Sequence, residues 1–199
     1  MKLPEMEDSL STRIKNMREV LLMAGISEIN AHGVTGFSIR RVAAACNVSC
    51  AAPYKHFKDK KEFIASVIEY VNQQWFDRQQ EIISACGDSL RDQIVEVCCG
   101  YLAFLMEKPY FRSILMLKDE EFDNLYHKKR GEMSSLSQKL EGDFFSASGM
   151  PPEVFRRKFH LVRAMIFGSV FMMDSGELPY NEETMNNFRY CVSREFDLP

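Results

Sequence analysis

The chain has 199 residues, 46% of them apolar and 27% charged, which is enough to build a hydrophobic core for one domain or two small ones. It contains no run of roughly 20 apolar residues that would span a membrane, and its first residues lack the apolar core of a secretory signal, so a cytoplasmic protein is expected. The net charge of −3, taken alone, argues against a nucleic-acid partner.

Apolar residues recur at spacings of three and four along the chain, which predicts an all-α fold of about nine helices. The first helix is expected from Ser11 to His32, with Leu21 and Ile29 on its apolar face. Gly33 follows it and is well suited to end it, because glycine adopts the left-handed conformation at low cost.

A second, short helix is expected to begin at Ser38, whose hydroxyl group suits an N-cap. Asn47 tolerates the left-handed conformation that ends a helix, and Ser49 is placed to cap a third helix over Cys50–Phe57. The turn between these helices is so short that they must cross steeply. This pattern predicts a helix-turn-helix, whose second helix enters the DNA major groove, within an N-terminal three-helix domain over residues 1–62.

The charged residues follow the same division of the chain. Residues 9–61 hold nine basic and three acidic residues, a net of +6, which leaves −9 for the remainder. This asymmetry predicts that the N-terminal part meets a polyanion and that the rest of the chain does not.

The remainder of the chain, residues 63–199, is predicted to form a second, helical domain. The helix that starts near Asp59 is expected to run on from the first domain without a flexible linker. The expected helices are 59–85, 88–107, 109–118, 119–147, 153–175 and 181–196.

The stretch GVTGFSIRRVAAACNVSCAAPYKHFKDKKEF resembles the DNA-binding domain of the tetracycline-repressor (TetR) family. The resemblance extends over roughly residues 18–65 and is specific in its order and spacing. It implies a ligand-responsive transcriptional regulator, usually a repressor, that binds a near-palindromic operator as a homodimer and is released by a small-molecule effector. The matching residues are Gly33, Thr35 or Ser38, Val42, Ala43, Val48, Ser49, Tyr54, His56, Phe57 and Lys60.

Two kinds of contact with double-stranded DNA are expected from this domain. Ala51 and Ala52 are small enough to let the backbone approach base edges, and with Arg40 and Cys50 they are expected to specify the sequence. Phosphate contacts are expected from hydroxyl, imidazole and ammonium groups, at Ser49, Tyr54, His56 and Lys60. The candidate DNA-binding residues are Ser38, Arg40, Ser49, Cys50, Ala51, Ala52, Tyr54, Lys55, His56 and Lys60.

Three residues depart from the family's pattern. Glu28 stands where an aliphatic residue is usual, so this corner of the first helix is expected to pack differently. Asn47 stands where glycine is common, a mild change. Pro53 lies within the expected recognition helix, where it removes one early backbone hydrogen bond.

The resemblance also implies that the second domain dimerises and binds a ligand. The candidate dimer residues are Phe159, Val162, Ile166, Val170 and Phe188, with burial inside one chain as the alternative. The candidate ligand-binding residues are Tyr101, Phe104, Leu105, Phe111, Phe122, Tyr126, Phe144, His160 and Arg163. Aromatic residues at helical spacing are more often core, and His160 and Arg163 have the alternatives of facing a partner or pairing with an acid such as Glu141.

Other classes of function leave weaker signals. No catalytic motif is recognisable, so no enzymatic activity and no cofactor are expected, and the four histidines form no metal-binding pattern. The six cysteines match no zinc spacing and are expected to be reduced. A DNA-binding redox regulator that senses through thiols stays open as an alternative. An all-helical enzyme is less favoured, and a helical interaction protein leaves the segment SCAAPYKHFKDK unexplained.

Overall fold

The computed structural model describes residues 4–115 and 135–197, with side chains from residue 17 onward and excluding residues 113–115. Within these ranges every secondary-structure element is a helix, and turns and loops join the helices, which confirms the predicted all-α class. No helix of the described ranges is long and apolar enough to cross a membrane. The helices are α1 (Pro4–His32), α2 (Ile39–Ala45), α3 (Lys60–Ala85), α4 (Leu90–Glu107), α5 (Pro109–Leu115), α6 (Ser135–Ser148), α7 (Pro152–Asp174) and α8 (Glu182–Asp197), with a short 3-10 turn at Pro53–Lys55.

The chain divides into two compact units. Of the described residues, the first unit holds 4–71 and 109–115, and the second holds 72–108 and 135–197. The α3 helix contributes residues to both units. The predicted helix at 119–147 is described only from residue 135 onward.

The first unit is built on a core from α1, α2 and α3. Leu21, Val42, Phe57 and Phe63 are fully or almost fully buried there. A glycine in α1 makes the packing of α1 against α3 possible, because a Cβ atom at Gly25 would lie 2.3 Å from Cε1 of Phe63. The aromatic ring therefore occupies the space that any other residue at position 25 would need.

Both ends of α2 are capped. Side-chain and backbone groups there bond to N–H and C=O groups that have no partner within the helix. Ser38 is the N-cap, and its hydroxyl accepts a hydrogen bond from the N–H of Arg41, as predicted. Asn47 has φ +54°, which confirms the predicted left-handed residue. The N–H of Asn47 donates to Ala44, and that of Val48 donates to Ala43, the paired bonds of a Schellman motif. These local interactions fix the tight turn that follows α2.

The second unit is organised around α4, which packs against α6, α7 and α8. Leu102 and Leu105 of α4 are completely buried, as is Val192 of α8. Two arginine–carboxylate pairs join α4 to α8 at different levels: Arg189 to Glu96 at 2.7 Å and Arg91 to Asp197 at 2.6 Å. Bidentate pairs of this kind fix the register of the two helices more than they add to the free energy of folding.

Candidate nucleic-acid interface

The segment after the tight turn, residues 49–56, differs from the α-helix predicted over Cys50–Phe57. It forms a turn followed by the 3-10 turn at Pro53–Lys55. The reason lies in Pro53, which has no N–H to donate to the carbonyl of Ser49. The bonds that form instead are three residues apart, from the N–H of Ala52 to Ser49 and from that of Lys55 to Ala52.

The 49–56 segment presents small and polar side chains to solvent. Ser49, Cys50, Ala51 and Lys55 are exposed, and Tyr54 is 54% exposed, which is unusual for an aromatic residue. Ala52 and His56 are half-buried and Pro53 is buried. The apolar proline of this segment therefore faces the core. The solvent-facing side carries hydroxyl groups and small side chains, so the backbone there is accessible.

Aromatic packing holds the end of this segment in place. The ring of Phe57 lies 4.1 Å from that of Phe63, and Phe63 lies 5.2 Å from Phe37, measured between centroids. The guanidinium of Arg18 lies over the Phe57 ring at 5.3 Å and also donates to the hydroxyl of Ser66 at 3.1 Å. The exposed surface is thus mounted on a rigid cluster.

The imidazole of His56 sits in a cationic setting. Partial burial lowers its pKa, and the nearby charges of Arg18 and Lys55 lower it further. At neutral pH the ring is therefore mostly uncharged, with one N–H group to donate.

The α2 helix places its two arginines in different roles. Arg40 is exposed. Arg41 is also solvent-accessible, yet its Nε donates to Oε1 of Glu28 at 2.8 Å and its Nη2 donates to the carbonyl of Gly36. The N–H of Ser38 donates to the same Oε1 at 3.1 Å. Of these two arginines, only Arg40 makes no such hydrogen bond or ion pair with the described residues.

Glu28 is the residue that departs from the expected aliphatic type, and it is nearly buried. Burial alone would raise the pKa of its carboxyl group. The hydrogen bond and charge of Arg41, the N–H of Ser38 and the charge of His32 outweigh that effect and lower the pKa below its ordinary value. Glu28 therefore joins α1 to the start of α2 as an ionised group, a role that sequence reasoning did not find.

Lys60 is held at the start of α3. Its Nζ donates to the carbonyl of Thr35 at 3.3 Å, and its side chain is half-buried. Beside it, the N–H of Glu62 donates to Asp59 at 2.9 Å, and the Glu62 carboxylate accepts from the N–H of Lys58 at 2.7 Å. The start of α3 is therefore firmly capped, with a lysine at its first position.

The second unit contains a cavity of about 410 Å³ between α3, α4, α6 and α7. Its walls are mostly apolar, and Glu141 and Arg163 are the charged residues among those described that line it. Their side chains form an ion pair at 3.5 Å. Burial raises the pKa of Glu141, and the charge and hydrogen bond of Arg163 offset part of that rise. The apolar lining includes Trp75, Val97, Tyr101, Leu140, Phe159 and Ile166.

The candidate ligand-binding residues are spread between the cavity and the core. Tyr101 and Arg163 line the cavity, and His160 is exposed outside it. Phe104, Leu105, Phe111 and Phe144 are buried core residues. Phe122 and Tyr126 lie outside the described residues.

Several cavity residues were not among the candidates. Trp75, the chain's single tryptophan, lines the cavity from α3. Ser137 and Glu141 lie one turn apart on α6, a spacing that puts two polar groups on one face of a helix. That spacing was the available signal, but nothing in the sequence says which face of α6 points inward.

The candidate dimer residues lie on the inner side of α7 and α8. Val162, Ile166, Val170 and Phe188 are buried within the chain, and Phe159 is half-buried at the cavity. The outer side of α7 carries a separate row of exposed residues, Leu161, Ala164, Gly168 and Phe171, spaced three, four and three residues apart. We call this row the outer α7 strip.

A helix-turn-helix with a solvent-facing second element is the arrangement by which proteins enter the DNA major groove. Residues 21–67 match the model of the family described as bacterial regulatory proteins, tetR family. The resemblance to the TetR family is therefore confirmed over this domain. No curated protein sequence matches the chain.

Solved structures of transcription regulators share the all-helical fold over most of the chain. A TetR family transcription regulator from Marinobacter aquaeolei has a TM-score of 0.72 at 17% identity, covering 93% of this chain and 97% of that one. The transcriptional regulator FadR from Bacillus subtilis, in complex with stearoyl-CoA, has a TM-score of 0.72 at 13% identity, covering 88% and 95%. A TetR variant from Acinetobacter baumannii, in complex with minocycline, has a TM-score of 0.56 at 16% identity, covering 89% and 92%.

Residues 21–67 thus match the DNA-binding domain of the tetR family, and the described residues share the all-helical fold of a solved TetR-family regulator.

Proposed function

We propose that this regulator is a ligand-responsive repressor that binds a near-palindromic operator as a homodimer in the cytoplasm and leaves it when a small molecule occupies the second unit. In this proposal residues 1–62 bind DNA, and residues 63–199 bind the effector and dimerise. The action is binding alone, without catalysis. The observation that carries the proposal is the exposed 49–56 segment mounted on the Phe57–Phe63 cluster.

The proposed DNA contacts follow from exposure and chemistry. Ala51 and Cys50 are small and exposed, so the backbone beside them can approach base edges in the major groove. Tyr54, 54% exposed, offers a phenolic O–H to a phosphate oxygen. Arg40 and Lys55 add exposed positive charge. Lys60 is proposed to act partly through its bond to Thr35, which positions the loop before α2.

The outer α7 strip supports a dimer. Its residues follow the three-four spacing of helices that pack side by side, and its two large members are open, Leu161 at 45% and Phe171 at 65%. Ala164 and Gly168 between them would let a partner helix come close. A two-fold axis at this strip would present two helix-turn-helix units, as a near-palindromic operator requires.

The cavity supports an apolar effector. Its volume of about 410 Å³ falls within the range of small-molecule sites, and its lining is mostly apolar. Two proteins of the same fold are seen with small molecules bound, one with stearoyl-CoA and the other with minocycline. Effector binding would disfavour DNA by a coupling of roughly 1–3 kcal/mol, and DNA would weaken effector binding to the same extent.

The redox alternative gains little from the structure. Burial raises the pKa of Cys98 and of Cys99 to about 12, so only about one thiol in a hundred thousand is ionised at neutral pH. A thiol in that state reacts slowly with oxidants. Cys50 is exposed in the 49–56 segment, so DNA affinity measured with and without reductant, and after Cys50→Ser, separates the two functions.

The proposal is tested by fluorescence anisotropy on duplex DNA. The double variant Tyr54→Ala with Lys60→Ala should bind more than tenfold more weakly, because the first change removes a hydrogen bond to phosphate and the second removes a positive charge whose pairing with phosphate releases a counterion. The matched control is Lys139→Ala, which removes an exposed lysine of α6 and should bind like the wild type. Equal affinity of the double variant, or wild-type binding that does not change with salt, would contradict the proposal.

A further inference from the structure

The polar groups of the cavity lie along one wall. Ser137 and Glu141 are one helical turn apart on α6, and both line the cavity. Glu141 is the more enclosed of the two charged residues, because its side chain is 26% exposed and that of Arg163 is 64% exposed. The charge that faces the enclosed part of the cavity is therefore negative.

Behind this wall lies a further polar group. The amide of Gln79, which is completely buried and is not one of the lining residues, donates to the Ser137 hydroxyl at 3.0 Å. Its Oε1 atom has no hydrogen-bond partner among the described residues. A buried acceptor without a partner costs free energy until a donor reaches it. The Glu141 carboxylate adds further acceptor positions beside Ser137.

The remaining walls are rich in aromatic rings. The ring of Trp75 lies 4.9 Å from that of Tyr101, measured between centroids, and Phe159 and Phe167 also line the cavity. Aromatic faces attract cations, most strongly where water is excluded. An acceptor-rich wall facing aromatic rings is complementary to a positively charged group that carries N–H donors.

An anionic ligand has a poorer fit. Its negative charge would have to reach Arg163, whose guanidinium is mostly in solvent and already paired with Glu141. It would also stand beside the Glu141 carboxylate and be repelled by it. A cation in the cavity can pair with the Glu141 carboxylate. The exposed Arg163 side chain can then move away into solvent at little cost in free energy.

We propose that the cavity binds an amphiphilic cation, an apolar molecule with a protonated amine, whose ammonium group pairs with Glu141 and bonds to Ser137 while its apolar part lies among the aromatic rings. This inference rests on the proposed effector role for its biological meaning. Burial raises the pKa of the Glu141 carboxyl, and the positive charge of a bound cation would favour its ionised form.

The test uses three probes with the same decyl chain: decylamine, which is protonated at neutral pH, sodium decanoate and decanol. Trp75, the single tryptophan of the chain, lies in the cavity wall, so its fluorescence reports occupancy, and calorimetry gives the affinity. Decylammonium should bind about tenfold or more tightly than decanoate, as expected for a charge-assisted hydrogen bond. Decanol should lie between them.

Three variants assign the effect to the named groups. Glu141→Gln should lose about tenfold in decylammonium affinity and keep decanol affinity unchanged. Arg163→Gln should raise decylammonium affinity, because Glu141 is released from its partner; this exposed position also serves if Glu141→Gln does not fold. The matched control is Glu153→Gln, an exposed glutamate of α7 outside the cavity lining, which should leave all three affinities unchanged.

Tighter binding of decanoate, unchanged decylammonium affinity in both Glu141→Gln and Arg163→Gln, or no binding of any probe would overturn the inference. The same samples are titrated with duplex DNA in the absence of probe. If the wild type does not bind DNA, the proposed DNA-binding function is contradicted. The cation-binding inference is unaffected by that result, because the probe affinities are measured without DNA.

Discussion

Glu28 and Arg41 tie the first two helices of the DNA-binding domain together: the Nε atom of Arg41 donates to Oε1 of Glu28 over 2.8 Å, and the same oxygen accepts the N–H of Ser38. One buried carboxylate thus holds the start of α2 against α1. The family's usual aliphatic residue at this position cannot do this, so the corner is held by an ion pair and a helix cap instead of apolar packing.

Replacing Glu28 by alanine should lower the free energy of unfolding by about 1–3 kcal/mol, because the N–H of Ser38 loses its carboxylate partner. Glu28→Gln keeps an acceptor and should cost less. Because the folded state lowers the pKa of Glu28 below 4.5, its stabilisation is complete above that pH and is lost as the pH falls through the lowered value. Urea unfolding of both variants at neutral and acidic pH measures this. Equal stability of Glu28→Ala and the wild type at neutral pH would refute the role.

Gly25 provides a test of the packing beneath the DNA-binding surface. Gly25→Ala would place a Cβ atom 2.3 Å from Phe63 and should destabilise the fold by about 1–3 kcal/mol, because the core must shift. Gly142→Ala is the matched control, since no atom lies within 4 Å of its Cβ position in the middle of α6. It should stabilise the protein by up to about 1 kcal/mol through helix propensity. Thermal unfolding of both variants measures the change in stability. A Gly25→Ala protein as stable as the wild type would contradict the close packing of Phe63 against Gly25.

The salt dependence of DNA binding should locate the electrostatic contacts. Removing the exposed charge of Lys55 should reduce the slope of log affinity against log salt by about 0.9, the value for one phosphate contact. Lys139→Ala, in the second unit, should leave the slope unchanged. Anisotropy titrations over a range of potassium chloride concentrations provide the measurement. An unchanged slope for Lys55→Ala would show that Lys55 does not contact a DNA phosphate.

His56 should make DNA affinity depend on pH. Its pKa is lowered in the free protein by burial and by Arg18 and Lys55, and a phosphate beside it would raise the pKa again. Binding then takes up a proton, so affinity should increase as the pH falls through the histidine range. His56→Gln should lose this increase while keeping a donor. If the pH profile of His56→Gln matches that of the wild type, the imidazole does not contact phosphate.

The outer α7 strip should control the oligomeric state. Phe171→Glu places a charge on an exposed residue of the strip and should shift a dimer to monomer in sedimentation experiments. Phe171→Leu keeps an apolar side chain and is the control that should remain dimeric. A wild-type protein that sediments as a monomer at micromolar concentration, or a dimeric Phe171→Glu, would exclude this surface.

Local features of the fold were predictable because single side chains create them. The cap at Ser38 and the left-handed Asn47 act within a few residues, so the sequence reveals them without knowledge of the tertiary structure. The α-helix predicted over Cys50–Phe57 is wrong. Because Pro53 has no N–H to donate, the segment forms a 3-10 turn at Pro53–Lys55 instead.

Which partner covers an apolar face was not predictable. The α7 sequence is apolar on two sides, and the structure buries Val162 and Ile166 inside while leaving Leu161 and Phe171 outside. Periodicity gives the faces of a helix but not the molecule that each face contacts. For the same reason three of the four described aromatic ligand candidates, Phe104, Phe111 and Phe144, are buried. The pairing of Arg163 with Glu141, one of the alternatives from the sequence, is confirmed, but the position of this pair in the cavity wall was not predictable.

Selection from a pool of randomised duplexes tests whether two copies of the helix-turn-helix read one duplex together. An inverted repeat whose half-sites lie about 34–36 Å apart, or a multiple of one helical turn, should be enriched, and Tyr54→Ala with Lys60→Ala should lose that enrichment. Recovery of no common sequence, or of the same repeat by the double variant, would contradict the proposed function.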